Sequence, residues 1–306
     1  MNVIEQKITS RFSAYNADTV EVAKAMPDSS VHFSVFSPPF ESLYTYSASP
    51  RDMGNSRNSG EFWEQYKFLI AESLRVMMPG RLVAIHCMDL PTSKTMHGYI
   101  GLRDFPGEIV RAYSDAGFIY HSRIAIWKDP VQSMQRTKAL GLLHKQIKKD
   151  SAMSRQGIAD TVVVMRKPGP NPEPISHTSE SFPVAMWQRY ASPVWAVVDG
   201  TEDGFHLVGP DINPSDTLQY RSAREDADEK HICPLQLPVI RRCVNLWSNP
   251  GDIVWSPFMG IGSEGVVALE DGRRFIGAEL KVIYYHQAVA NLTEACREKR
   301  QPDLFG

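Results

Sequence analysis

A glycine-rich segment close to the carboxyl end of the chain constrains the fold more than any other feature. Residues 252–279 read DIVWSPFMGIGSEGVVALEDGRRFIGAE, which predicts a strand, a tight turn, a helix and a second strand. Gly260, Gly262 and Gly265 have GxGxxG spacing, and Glu279 closes the second strand. In a Rossmann-type unit such glycines let a ligand approach the backbone, and the acidic residue accepts hydrogen bonds from ribose hydroxyls. The segment therefore predicts a site for an adenosine-containing cofactor, either NAD or S-adenosylmethionine (SAM).

The position of this segment decides how the rest of the sheet is built. Few residues follow Glu279 in the 306-residue sequence, so we expect the other strands to come from earlier in the chain. Short apolar and β-branched runs bounded by turn residues supply the candidates, most of them typical of buried parallel strands. The predicted strands cover residues 31–36, 82–87, 119–127, 161–165, 253–255 and 275–278, and the predicted helices cover 62–78, 107–116 and 237–247.

The alternation of strands and helices predicts an α/β fold. Its cofactor half lies at the carboxyl end, so the order of motifs is circularly permuted relative to an ordinary dinucleotide fold. This order disfavours a nicotinamide-dependent oxidoreductase, for which we find no hydride-transfer site. Segments 41–60 and 168–230 are rich in Ser, Pro, Asn and Gly and have weak periodicity, which predicts long surface loops or a small inserted subdomain.

The composition is that of an ordinary globular protein, with 42% hydrophobic, 22% charged and 10% aromatic residues. No apolar run reaches about 18 residues, and the first residues lack an apolar signal region, so we expect no membrane span, no secretion and a cytoplasmic location. The four cysteines are scattered without a CxxC pair, which favours reduced core residues and predicts no metal site.

The charges are unevenly distributed along the chain. Basic residues outnumber acidic ones over residues 128–167, and the balance reverses over 199–230. Part of the basic stretch, KALGLLHKQIKKDSAMSRQG, is either a solvated helix surface or a set of contacts to nucleic-acid phosphates. The candidate DNA-binding residues in it are Lys138, Lys145, Lys148, Lys149 and Arg155.

The first predicted strand of the sheet core, VHFSVF, runs directly into Ser37-Pro38-Pro39-Phe40. Two successive prolines fix φ and remove two backbone donors, so the carbonyl groups of this turn are available to a ligand. A flat aromatic amine could donate hydrogen bonds to the Ser37 hydroxyl and the Pro38 carbonyl while its ring stacks on Phe40. A nucleobase has this chemistry, although a rigid turn without a ligand is the alternative.

Taken together, these motifs resemble those of the amino DNA methyltransferases, which methylate N6 of adenine or N4 of cytosine, in the permuted group whose catalytic motif precedes the SAM motif. Ser37, Pro38, Pro39 and Phe40 match the catalytic [D/N/S]PP[Y/F/W] motif. The segment HICPLQ resembles the helix-opening segment beside the methionine end of SAM, SPFMGIGS the glycine loop, and GAE the ribose-binding acid. The implied cofactor-binding residues are His231, Pro234, Gln236, Ser256, Pro257, Phe258, Gly260, Gly262, Ser263 and Glu279.

The resemblance implies a Rossmann-like SAM methyltransferase sheet with inserted loops. Residues 1–167 and 231–306 then form the catalytic domain, with a basic DNA-facing stretch at 131–157, and residues 168–230 form an inserted variable or target-recognition region. The implied partners are double-stranded DNA, whose target base is flipped out of the helix, and a second copy of the chain in a homodimer. His86 and Asp89, at the end of a predicted strand, approach SAM or serve core and turn roles, and the second interpretation is favoured.

The sequence also departs from the family pattern. The usual acid of the glycine loop is Ser256 here, and its loss would weaken the contact with the SAM ammonium group unless Glu264 or Asp252 compensates. Ser37 favours N4 of cytosine slightly over N6 of adenine. The alternatives are a methyltransferase acting on an RNA or protein amide nitrogen and a catalytically silent SAM- or DNA-binding protein.

Overall fold

The computed structural model describes residues 2–39, 53, 56, 59–137, 142–201, 204–219 and 234–298. Helices and strands alternate along the described chain, as the sequence predicts. The strands are β1 Val3–Ile8, β2 Phe12–Ala17, β3 Val31–Phe36, β4 Met77–Met88, β5 Leu90–Thr92, β6 Gly101–Arg103, β7 Ile119–Ile126, β8 Asp160–Arg166, β9 Val194–Trp195, β10 Val197–Thr201, β11 Gly204–Gly209, β12 Ile253–Ser256 and β13 Arg274–Glu279. The helices are α1 Thr19–Ala25, α2 Ser59–Val76, α3 Lys94–His97, α4 Phe105–Asp115, α5 Pro130–Thr137, α6 His144–Lys149, α7 Val184–Tyr190, α8 Leu237–Trp247, α9 Ser263–Glu270 and α10 Val282–Glu298.

A nine-stranded sheet of order β1-β2-β13-β12-β3-β4-β8-β7-β9 forms the centre of the molecule. The strands from β2 to β4 are mutually parallel. Strand β8 runs antiparallel to both β4 and β7, so the expectation of a mostly parallel sheet holds for its centre and not for this side. The carboxyl-terminal strands β12 and β13 lie inside the sheet, between β2 and β3, so the other strands of the sheet come from earlier in the chain, as expected.

Two hydrophobic cores cover the two faces of the sheet. Helices α8, α9 and α10 contribute the helical residues of one core, including Val239, Val267 and Leu292. Helices α1, α2 and α4 contribute those of the other, including Phe62 and Ile109. The result is a three-layer α/β fold, because each face of the sheet is apolar and requires a helical layer.

Several boundaries differ from the sequence prediction. Helix α2 ends at Val76, not at residue 78, because Met77 already pairs with Val31 at the start of β4. The amino-terminal hairpin β1–β2 was not predicted, yet β2 extends the parallel sheet beside β13. The parallel partner of β2 is more than two hundred residues away in the sequence, so no local pattern indicates this pairing.

The segment 168–230 contributes to the sheet and core. Strand β9 pairs with β7 at the sheet edge, and Trp195 is buried in the core. Arg242 of α8 forms an ion pair with Asp211 and lies over the ring of Trp195, 5.0 Å from its centroid. Among the described residues, none of the helices is long and apolar enough to cross a bilayer.

Candidate active site

Two turns open at the same edge of the sheet, where the neighbouring parallel strands β3 and β12 end. Strand β3 leads into Ser37-Pro38-Pro39, and β12 leads into the glycine loop at 257–262. The two strands pair directly, and the Ser34 hydroxyl donates a 2.8 Å hydrogen bond to the Trp255 carbonyl. Carboxyl ends of adjacent parallel strands are where open α/β sheets bind ligands, so this edge is the candidate site.

The glycine loop has the backbone geometry that the sequence predicts. Gly260 and Gly262 have φ values of +53° and +92°, in the left-handed region that favours glycine. A Cβ on Gly262 would lie 3.3 Å from Ala288, and one on Gly265 would lie 2.4 Å from Leu292. At Gly260, in contrast, a Cβ would meet nothing within 4 Å. Gly262 and Gly265 therefore serve helix packing, whereas Gly260 leaves an open space above the loop.

Glu279 links this loop to the end of β13. Its carboxylate accepts one hydrogen bond from the Gly260 N–H at 2.9 Å and another from the Lys281 N–H at 2.8 Å. The buried Asn16 amide supports this turn by donating to the Glu279 and Leu280 carbonyls. Because a carboxylate has about four acceptor sites, Glu279 can hold the loop and accept further hydrogen bonds from a ribose.

Several buried polar atoms near the loop lack a hydrogen-bond partner. Ser256 is fully buried at the end of β12, and its Oγ has no partner; the Oε1 atom of Gln236, just before α8, is in the same situation. Buried polar groups are normally satisfied, and exceptions often mark the place of a ligand or water. Pro257 and Ser263 are buried, and Phe258 packs against Phe36 at a centroid distance of 5.7 Å. These features fit an adenosine-containing cofactor.

At the Ser37 turn, a chain of side-chain contacts leads away from the Ser37 hydroxyl. Ser37 Oγ lies 2.9 Å from Nδ1 of His86, near the end of β4. His86 Nε2 lies 3.3 Å from one carboxylate oxygen of Asp160, and Lys128 Nζ contacts the other at 2.5 Å. Asp160 begins β8 and Lys128 follows β7, so the ends of four strands bring together residues that are far apart in the sequence. We call Ser37, His86, Asp160 and Lys128 the serine relay.

Electrostatics keep the acid of the serine relay ionised. Burial raises the pKa of Asp160, but His86 and Lys128 outweigh burial and lower it to about 2. The ionised carboxylate favours a proton on His86 Nε2, which leaves Nδ1 to accept the hydroxyl proton of Ser37. This arrangement leaves the lone pairs of Ser37 Oγ for a group that donates hydrogen bonds.

The sequence does not assign the other three members of the serine relay to the site. For His86 it favours a core or turn role. Lys128 and Asp160 stand out only as members of the charged stretch. No spacing signal connects them with Ser37, because the contacts depend on β8 running antiparallel beside β4.

The remaining predicted site residues lie in several places. Pro38 and Pro39 are buried, and Pro234 lies before α8. Phe40, His231 and Lys138 lie outside the described residues. Lys145, Lys148 and Lys149 are exposed on α6, and Arg155 is half-buried, with its guanidinium donating to the Gln156 carbonyl. These basic residues lie in the connection between β7 and β8, which ends at Asp160.

A cleft of about 340 Å³ beside Lys128 is lined by Trp127, Lys128, Pro130, Gln156, Gly157 and Ala159.

A second polar cluster lies at the opposite, amino ends of β3 and β12. His32 Nε2 lies 3.2 Å from Glu173 and 3.8 Å from Asp252, a set that could hold a metal ion. However, His32 Nδ1 accepts a hydrogen bond from the Ile253 N–H, so a neutral imidazole carries its proton on Nε2, toward the carboxylates. Arg81 also lies 3.1 Å from Asp252. The geometry is that of an ion-pair network.

Comparison with known proteins places this geometry in a family. The family model described as DNA methylase, of the N6 and N4 type, matches residues 31–290. The type II methyltransferase M.BglII of Bacillus subtilis is 26% identical over 274 residues, which cover 88% of this chain and 66% of that protein, just under two thirds. The type II methyltransferase M.Cfr9I of Citrobacter freundii is 22% identical over 286 residues, covering 91% of this chain and 86% of that protein.

Two solved structures share the fold. TTHA0409 of Thermus thermophilus, described as a putative DNA modification methylase and solved in complex with S-adenosyl-L-methionine, has a TM-score of 0.65 and 20% identity, covering 94% of this chain and 96% of that one. PvuII DNA methyltransferase, which is cytosine-N4-specific, has a TM-score of 0.63 and 15% identity, covering 97% of this chain and 96% of that one.

Proposed function

This chain belongs to the N6 and N4 DNA methylase family, and from this premise we propose that it is a site-specific DNA methyltransferase that uses SAM to methylate the exocyclic amine of a flipped base. N4 of cytosine is favoured slightly over N6 of adenine because serine opens the Pro-Pro turn. The observation that carries the proposal is the pairing of two turns at one sheet edge: the glycine loop after β12 and Ser37, bonded to His86, after β3.

The cofactor site is proposed at the glycine loop. SAM supplies, when bound, a methyl group on a positively charged sulfur. Glu279 accepts hydrogen bonds from the ribose hydroxyls, and Gly260 leaves room for the cofactor against the backbone. Ser256 and Gln236 offer their unpaired oxygens, and Pro234, Pro257, Phe258, Gly262 and Ser263 are the other residues proposed to hold the cofactor. The complex of TTHA0409 with S-adenosyl-L-methionine supports this assignment.

The target amine is proposed to bind at Ser37. The amine of cytosine or adenine is conjugated with its ring and is a weak nucleophile, so positioning and proton removal provide the catalysis. Ser37 Oγ and the Pro38 carbonyl accept the two amine hydrogens, and Phe40 stacks on the base. Bound SAM would supply the methyl group, and the amine that gains it would lose one proton to Ser37 Oγ. The Ser37 hydroxyl proton passes to His86 Nδ1, and Asp160 stabilises the resulting imidazolium.

DNA binding is proposed to involve the basic connection between β7 and β8. Lys145, Lys148 and Lys149 are exposed and can contact phosphates, and Arg155 lies in the same connection. The base must leave the duplex because its amine is paired there. Residues 168–230 are proposed to read the target sequence, the motif order to be circularly permuted and the protein to act as a homodimer. The type II methyltransferases among the relatives support a role in site-specific modification.

The decisive experiment is nucleoside mass spectrometry of unmethylated genomic DNA incubated with the purified protein and SAM that carries a deuterated methyl group. Labelled N4-methylcytosine or N6-methyladenine would establish the reaction and identify the base. A Ser37→Ala variant serves as the matched control and should give at most about one hundredth of the label. If SAM binds but neither nucleoside is labelled, a DNA methyltransferase function is wrong, and RNA or protein amides become the substrates to test.

A further inference from the structure

The candidate active site contains one buried acid with no assigned role. Glu264 is the second residue of α9, directly after the glycine loop, and is only 4% exposed. In the described part of the chain, no lysine, arginine or histidine forms an ion pair with its carboxylate. A buried carboxylate without a cation is unfavourable, so its presence at the candidate ligand site requires an explanation.

On the basis of the SAM-dependent function proposed above, we propose that Glu264 is the cofactor-binding carboxylate that meets the positive charge of SAM. The methionine part of SAM carries an ammonium group and a sulfonium, and a cation entering a buried site requires a counter-charge. Glu264 begins the helix after the loop, and Ser256, at the end of the strand before it, is neutral. The buried, unpaired Ser256 Oγ is an independent sign that a polar ligand occupies this end of the loop.

The structure excludes the other candidate for this role, Asp252. It lies at the amino end of β12, and the four residues of that strand separate it from the loop. Its carboxylate already lies 3.1 Å from Arg81 and accepts a hydrogen bond from the Asn249 N–H at 2.8 Å. Asp252 therefore belongs to the ion-pair network at the opposite sheet edge.

The surroundings of Glu264 determine its protonation in the free protein. Burial raises its pKa, its own backbone N–H lowers it, and the charge of Glu279 on β13 raises it, giving a pKa of about 8. The basic groups that the structure describes on the helices packed against α9 are paired elsewhere, including Arg297 with Glu294 on α10. On α8, Arg241 pairs with Glu270 and Asp271, and Arg242 pairs with Asp211; on α10, His286 pairs with Glu5, and Lys281, just before that helix, lies on Tyr284.

This arrangement couples SAM binding to proton release. At pH 7 the free carboxyl group is mostly protonated, and a bound cation favours its ionised form. Binding must then expel the proton, so affinity should rise with pH up to the free pKa of about 8. The α-amino group of SAM itself has a pKa of about 8, and its contribution cancels when two variants are compared at one pH.

The test is isothermal titration calorimetry of SAM into the full-length protein at pH 7, in buffers of different ionisation enthalpy. The wild type should release most of one proton, and Glu264→Gln should release none. The substitution should also raise the Kd by about tenfold to a hundredfold, the range for losing a charge-assisted hydrogen bond. Glu270→Gln, at the other end of the same helix and paired with Arg241, is the matched control and should bind like the wild type.

The outcomes separate this inference from the proposed function. If the wild type does not bind SAM, the proposed function fails. If the wild type binds SAM without releasing a proton and a folded Glu264→Gln protein binds SAM equally well, the role of Glu264 is wrong. Equal proton release and Kd for the wild type and a folded Glu264→Gln protein would overturn it as well. In the Glu264→Gln background, Ser256→Asp should restore part of the affinity, because it returns a carboxylate to the loop.

Discussion

The two turns at the candidate site are stabilised by different kinds of interaction. The glycine loop is formed mainly by backbone, with Gly260 and Gly262 at positive φ and Glu279 accepting a loop N–H. The Ser37 turn depends on side chains at the ends of four strands, joined as Ser37, His86, Asp160 and Lys128. A backbone-built turn is encoded within one stretch of sequence, whereas a side-chain network depends on the packing of distant segments. Substitutions in the two turns should therefore affect turnover, SAM affinity and stability differently.

The largest expected effect is on the side-chain network. Ser37→Ala removes the acceptor for the amine and the donor to His86, and we expect turnover to fall by about 10²–10⁴-fold, the usual contribution of a positioned acid or base. The Kd for SAM should stay within about twofold, because Ser37 is outside the glycine loop. Single-turnover methylation and calorimetry measure the two quantities. A loss of turnover accompanied by an equal loss of SAM affinity would show that the two turns act as one functional unit.

Asp160→Asn tests the inner part of the same network. Because the pKa of Asp160 is lowered to about 2 from its ordinary value of 3.8, its ionised form stabilises the fold above pH 4, and this stabilisation is lost as pH falls toward 2. It amounts to about 2 kcal/mol. The variant should lack this acid-dependent part of the unfolding free energy and should lose turnover at neutral pH. Urea unfolding between pH 2 and pH 6 checks the stability, and a pH-independent difference between the proteins would contradict this account.

A pair of glycine substitutions distinguishes binding from packing within the backbone-built turn. Gly262→Ala should lower the unfolding free energy by about 1–3 kcal/mol, because φ is positive and the new Cβ would press on Ala288. Gly260→Ala has space for its Cβ and should cost only about 1 kcal/mol, but it should weaken SAM binding. Thermal unfolding and calorimetry of both variants provide the comparison. If both variants lost the same SAM affinity and the same unfolding free energy, the separate roles of Gly260 in binding and Gly262 in packing would be wrong.

The smallest expected effect concerns the exposed lysines of α6. Replacing Lys145, Lys148 and Lys149 by Gln should weaken DNA binding severalfold and reduce the slope of log K against log salt by about 0.9 for each lost phosphate contact. The Kd for SAM should not change. Fluorescence anisotropy at several salt concentrations measures the slope. An unchanged slope would indicate that this helix surface is solvated and does not contact DNA.

The same contrast explains which elements the sequence predicts. Strand β3 and helix α8 have the predicted bounds, because each is a continuous apolar or amphipathic run closed by turn residues. The glycine loop was also predictable, because its residues are adjacent in the chain and glycine is chemically distinctive. The place of strand β2 inside the sheet was not predictable, since it depends on pairing with β13 at the other end of the chain as well as with its neighbour β1.

The sequence by itself determined the α/β fold class, the cofactor loop and the Ser37 turn, because local periodicity, glycine spacing and paired prolines express backbone preferences directly. Only the tertiary structure shows that His86, Asp160 and Lys128 connect to Ser37 through side-chain contacts. It also shows that Asp252 lies at the opposite edge of the sheet and that no basic residue of the described chain pairs with the buried Glu264. Those facts depend on strand order, direction and burial. Free energies of desolvation and charge pairing arise between residues that meet only after folding, and no spacing along the chain records them.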